Sequence, residues 1–154
     1  MARRAAAISF ALTNFYLLAV VLMLQRVVYP AFGSVPHDAF PAYYAMFTSR
    51  IALVVVVPEF LALLSAVPLF FWREQSIGAW VPWTALGAGV LYMVITFALH
   101  LPIHRALATG DNAPAIVDSL VSTNGLRTIV QALKCLLVSH FCARSFSSAA
   151  PPLA

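Results

Sequence analysis

Four apolar runs, each about the length a bilayer core requires, dominate this 154-residue sequence and leave it few ways to fold. They cover 5–28, 51–71, 78–100 and 124–143. A chain that faces lipid over such lengths must satisfy its own backbone polar groups, which selects helices or closed barrels, and runs this long select helices. The expected fold is all-α: one four-transmembrane-helix bundle over 1–144, with 145–154, rich in Ser, Ala and Pro, as a disordered tail. Composition agrees, with 62% hydrophobic and 9% charged residues where soluble chains carry roughly a quarter charged.

Several function classes drop out at once. The nine Lys and Arg against five Asp and Glu give a net charge of +4, spread thinly and not gathered into a phosphate-neutralising patch, so no nucleic-acid partner is expected. Cys135 and Cys142 lie seven apart on one apparent helix, roughly 10 Å along its axis and beyond disulfide reach, and read as small buried apolar residues. There is no CxxC, GxGxxG, P-loop or serine elbow. The first run is longer than a signal-peptide core and no A-x-A-like site follows it, which favours a retained helix.

Punctuation between the runs sets the threading. Tyr29-Pro30 ends the first helix, because proline lacks an amide donor and restricts its predecessor, and Ala31 to Pro41 reads as a connection that includes His37. Tyr43 and Tyr44 lead towards the second span, and Trp80 and Trp83 anchor the third at an interface. Ala85 and Gly89 form a small-xxx-small pair where another helix could dock. Gly110-Asp111-Asn112 is a turn and cap signal ahead of Pro114, and Ile116, Val117, Leu120 and Val121 suggest a short amphipathic helix at the interface between spans three and four. Four spans put both termini on one side. Arg3, Arg4, Arg73 and Arg144 there face Arg26, Arg50, Arg105 and Arg127 at the other, and the dominance of the first helix favours cytoplasmic termini.

The costly polar residues crowd one half of this bundle. Asn124, Arg127, Gln131 and Lys134 advance by three, four and three along the fourth span, which keeps them on one stripe facing protein or water. Glu59 follows Pro58 inside the second span and must be protonated, paired with Lys134 or Arg127, or bound to a metal. His100 and His104 are four apart, the spacing at which two imidazoles share one metal, and Glu59 would complete a two-His-one-carboxylate set. Asn14 reads as an interhelical hydrogen-bonding residue and His140 as a core or interface histidine.

These residues also form a pattern. Gln25-x3-Tyr29-Pro30, Phe40-x2-Tyr43, Pro58-Glu59, His100-x-Pro102-x-His104-Arg105 and Asn124-x2-Arg127-Thr128 resemble small four-helix bacterial membrane proteins of unassigned function, distantly similar to the anthrone-oxygenase-like group. The resemblance covers about 25–134 and implies a four-span bundle with a polar pocket in the bacterial cytoplasmic membrane. The chain departs from the pattern at Phe47, where a histidine is expected, and at Gly125, where an aromatic residue often stands.

Two functions follow as expectations. The first is a polar intramembrane pocket that binds a hydrophobic small molecule or a redox cofactor such as a metal ion or haem, in the manner of an oxidoreductase or oxygenase. Glu59, Arg127 and Lys134 would act on the substrate, Asn124 and Gln131 would bind the cofactor, and His100 and His104 would hold the metal. The second is a non-catalytic subunit or scaffold, in a homo-oligomer or with other membrane chains, docked through the small residues of the third span.

Overall fold

A computed structural model describes residues 2–72 and 78–147, so 148–154 of the expected tail and the 73–77 turn lie outside the described residues. Four helices long and apolar enough to cross a membrane make up the bundle: α1 Arg4–Ser34, α2 Phe40–Phe71, α3 Trp80–Ala108 and α4 Pro114–Arg144. With 31, 32, 29 and 31 residues respectively, each measures about 45 Å and overruns a hydrocarbon core of about 30 Å into the interfaces.

Each helix is longer than its apolar core because polar ends continue the helix beyond the lipid. The segment expected as a separate interfacial helix is instead the start of α4, which runs unbroken from Pro114 to Ser147. The reason lies in phase. Buried positions Val117, Leu120, Asn124, Arg127, Gln131, Lys134, Val138 and Phe141 alternate steps of three and four along one stripe, so nothing interrupts the helix between them. The turn ahead of it forms as expected, with Gly110 at φ 94° and the Ala113 amide donating to Asp111 Oδ1 at 2.9 Å.

The helices thread up and down, with α1 against α4 and α2, and α3 against α4. The seam between α2 and α3 is the loosest, and α2 and α4 face each other across the bundle. Gly89 lies against Leu63 and Lys134, and Ala85 is buried with Ala66 and Val81, so the small-residue face of α3 packs inside this chain. The docking face expected there for a partner is already occupied.

One local device recurs in three helices. A π-helical turn occupies Leu24–Val28, Ala52–Val56 and Thr96–His100, and each is followed two residues later by a proline, Pro30, Pro58 and Pro102. Proline cannot donate and its ring crowds the carbonyl four residues back, so the preceding turn widens to i→i−5 bonds: Tyr29 to Leu24, Val57 to Ala52 and Leu101 to Thr96. The carbonyl that Pro58 releases belongs to Val54, and Tyr16 Oη donates to it at 3.3 Å. Each π turn inserts one residue into the buried stripe. On α1 the stripe runs Phe10, Asn14, Leu17, Val21, Leu24 and then jumps five residues to Tyr29, which turns Tyr29 inward in place of Val28.

Candidate functional site

The widened turns of α2 and α3 line a cavity of about 250 Å³. Tyr29 reaches it from α1, Tyr44, Thr48, Ala52 and Glu59 from α2, Thr96, His100 and His104 from α3, and Arg127 from α4. Thr48, Ala52 and Val56 are exposed on the bundle's outer surface and also line the cavity, so its mouth opens between α2 and α3 onto the lipid-facing side. A second hollow, lined by Pro41, Ala45, Arg105 and Ala108, shares Tyr44, Thr48, Leu101 and His104 with it.

At the closed end sits the charged pair. Arg127 Nη2 donates to Glu59 Oε1 and, at 2.8 Å, to the Tyr92 hydroxyl, while Nη1 donates to Asn124 Oδ1 at 3.3 Å. The Arg127 guanidinium carbon lies 4.8 Å from the Tyr92 ring centroid. All four polar side chains are buried. The pair crosses the bundle from α2 to α4, so it ties together helices that otherwise barely meet. The planar fork of arginine serves three acceptors at once, which the single ammonium of lysine cannot match in that geometry.

Two tyrosine–histidine pairs also line the cavity. His100 Nδ1 lies 3.0 Å from Thr123 Oγ1, whose proton goes to the Ser119 carbonyl at 2.9 Å. Thr123 therefore accepts from His100 Nδ1–H, and Tyr29 Oη donates to His100 Nε2 at 3.2 Å. Tyr44 Oη contacts both His104 Nδ1 at 2.6 Å and the His104 carbonyl at 2.9 Å. The two imidazoles meet edge to face with centroids 4.7 Å apart. Tyr92, Thr96, His100 and His104 recur every four residues on α3, and the last three line the cavity.

The remaining polar residues of the α4 stripe serve elsewhere. Asn124 donates to the Val21 carbonyl at 3.1 Å and to Gln25 Oε1 at 2.8 Å, and Gln131 donates to the Asn14 carbonyl at 2.9 Å. Lys134 Nζ donates to the Ala62 carbonyl at 3.1 Å. That carbonyl is released where the turn before Pro68 diverts the Ala66 amide to Leu63, and Ser65 Oγ shares it at 2.8 Å. Lys134 is thus not the partner of Glu59, and neither it nor Gln131 lines the cavity. Asn124 touches the site only through Arg127. Asn14 joins helices as expected, whereas His140 lies on the exposed surface beside the Trp80 ring. Phe47 fills the aromatic cluster around Phe32, with centroids 5.0 Å apart.

The expected two-His-one-carboxylate centre does not form. Among the described residues no group of three or more His, Cys, Asp or Glu converges as metal ligands would. Glu59 turns to Arg127, both ring nitrogens of His100 are bonded, and His104 has a single ring nitrogen to offer. These donors do not fit a metal ion held by the protein. The cavity is small beside the ~300–1,000 Å³ usual for small-molecule pockets. No protein-family model, curated protein or solved structure matches the chain.

Proposed function

We propose that this integral membrane protein takes a small lipophilic molecule from the bilayer into the cavity between α2 and α3 and holds it against acid–base groups. The observation that carries this reading is the cavity's two-sided wall. Ile51, Ala52, Val55, Val56 and Leu101 give the cavity a mostly apolar wall, while Glu59, Arg127, Tyr29 and the histidines stand behind it, largely bonded to one another and with little polar surface bared. A polar cluster this costly to bury, placed where lipid can reach it, suits an amphiphile that inserts its polar end first. Glu59 and Arg127 act as the site's fixed charges, and His104 is its exchangeable proton carrier.

Extraction of small lipophiles from protein purified in lipid nanodiscs, with identification by mass spectrometry, tests this directly. Wild-type protein is expected to carry a compound that Ala52→Trp, whose indole blocks the mouth from the lipid side, lacks. Identical extracts from both proteins, with the variant still folded, would remove the reading.

We also assign the chain to a bacterial cytoplasmic membrane with both ends in the cytoplasm. Arg127 is consumed in a buried ion pair, so it no longer counts as a loop charge. The comparison then favours the side of the termini, Arg3, Arg4, Arg73 and Arg144, over Arg26, Arg50 and Arg105. A carboxy-terminal alkaline phosphatase fusion is expected to be inactive, and a fusion in the 35–39 loop active. The opposite pattern would invert the topology.

A further inference from the structure

Two polar atoms of cavity-lining residues have no hydrogen-bond partner among the described residues. Arg127 Nε belongs to a side chain only 2% exposed, and no group accepts its hydrogen. His104 Nε2 is the other, because the hydrogen bonds of that residue's ring run through Nδ1 alone. Both residues line the cavity, but Arg127 Nε is itself fully buried, so the His104 nitrogen is the one an occupant can reach.

The sign of the histidine atom follows from Tyr44. Its hydroxyl has one proton and touches two groups, the His104 carbonyl and Nδ1. A carbonyl can only accept, so the assignment that satisfies both contacts has Tyr44 donating to the carbonyl and His104 Nδ1–H donating to Tyr44 Oη. Nε2 is then a bare lone pair. His104 therefore presents one free acceptor.

We infer that the occupant is a lipophilic hydroxy compound, an alcohol or phenol, whose O–H donates to His104 Nε2. This inference rests on the cavity being a ligand site, as proposed above. A ketone or quinone brings acceptors only and would set an oxygen lone pair against Nε2. A carboxylate would meet both that lone pair and the Glu59 carboxylate beside Arg127. A hydroxyl supplies the donor that Nε2 lacks, and Tyr44 acts as a positioning residue that fixes which nitrogen of His104 carries the lone pair.

The test compares para-tert-butylphenol with its methyl ether, which has nearly the same shape and lacks the donor. Binding is measured to protein in lipid nanodiscs, with empty nanodiscs correcting for partition. Wild-type protein is expected to prefer the phenol by at least about tenfold, since a site built around a hydroxyl rejects the analogue lacking it. In His104→Phe the preference should shrink to about twofold or less, and Tyr44→Phe should lie between the two. Equal binding of the two probes to wild type, or a preference that survives in His104→Phe, overturns the donor assignment while leaving the ligand site standing. Binding of neither probe to wild type overturns both. The ¹⁵N chemical shifts of His104 in wild-type protein give an answer independent of any variant's folding: a protonated Nδ1 with a bare Nε2 supports the assignment, and a protonated Nε2 refutes it.

Discussion

Replacing Arg127 by leucine will destabilise the bundle by ~3–5 kcal/mol, because the change strands the Glu59 carboxylate in the interior with its cation removed. Tyr92 loses its donor in the same step. The companion variant Glu59→Leu/Arg127→Leu should recover most of that loss, since two leucines replace the pair with apolar volume and leave no buried charge. Unfolding titrations in mixed micelles give both values, and the difference from additivity isolates the pair. A single Arg127→Leu cost below about 1 kcal/mol would show that solvent already reaches the pair, as exposed salt bridges are worth no more than that.

Pro102→Ala should push stability and binding in opposite directions. Proline inside a helix is up to ~3 kcal/mol less favourable than alanine, and at this position it maintains the Thr96–His100 π turn. Alanine restores an amide donor and allows the turn to tighten to ordinary α geometry. Losing one residue's worth of winding rotates the helix on one side of the bulge relative to the other by about 100°. Tyr92, bonded to Arg127, and His104, in the cavity wall, flank the bulge and could then no longer both keep their places. The expected result is a higher unfolding midpoint together with loss of the lipophile that copurifies with wild-type protein. A variant that gains stability and keeps its ligand would show that the π turn is not what aims the histidines.

The apolar runs made the four-helix bundle legible in advance, because lipid removes nearly every alternative. Helix ends were less legible, since continuity depends on phase: the stripe from Val117 to Phe141 keeps its step across the supposed junction at Asn124, and hydropathy does not record phase. The same limit explains the site. Depth placed Glu59 near both Arg127 and Lys134, but only the released Ala62 carbonyl explains where Lys134 goes, and that carbonyl is created by a turn invisible to composition. Tyr29, Tyr44 and Tyr92 were not singled out as site residues. A signal for two of them was present: Tyr92 begins a four-residue repeat that ends at His104, and Tyr29 precedes a proline as Val57 and Leu101 do. Reading the three X-Pro steps as one repeated device, and not as helix ends, would have turned Tyr29 inward.

Photolabelling tests the central claim, a cavity that fills from the lipid, most directly. A phenol carrying an alkyl diazirine is added to membranes containing the full chain, irradiated, and mapped by peptide mass spectrometry, with para-tert-butylphenol as competitor. The account predicts labels concentrated on Thr48, Ala52, Val56, Leu101 and His104, and erased by the competitor. Labels spread over the lipid-facing surface at Leu12, Leu53 and Leu133, unchanged by the competitor, would contradict it.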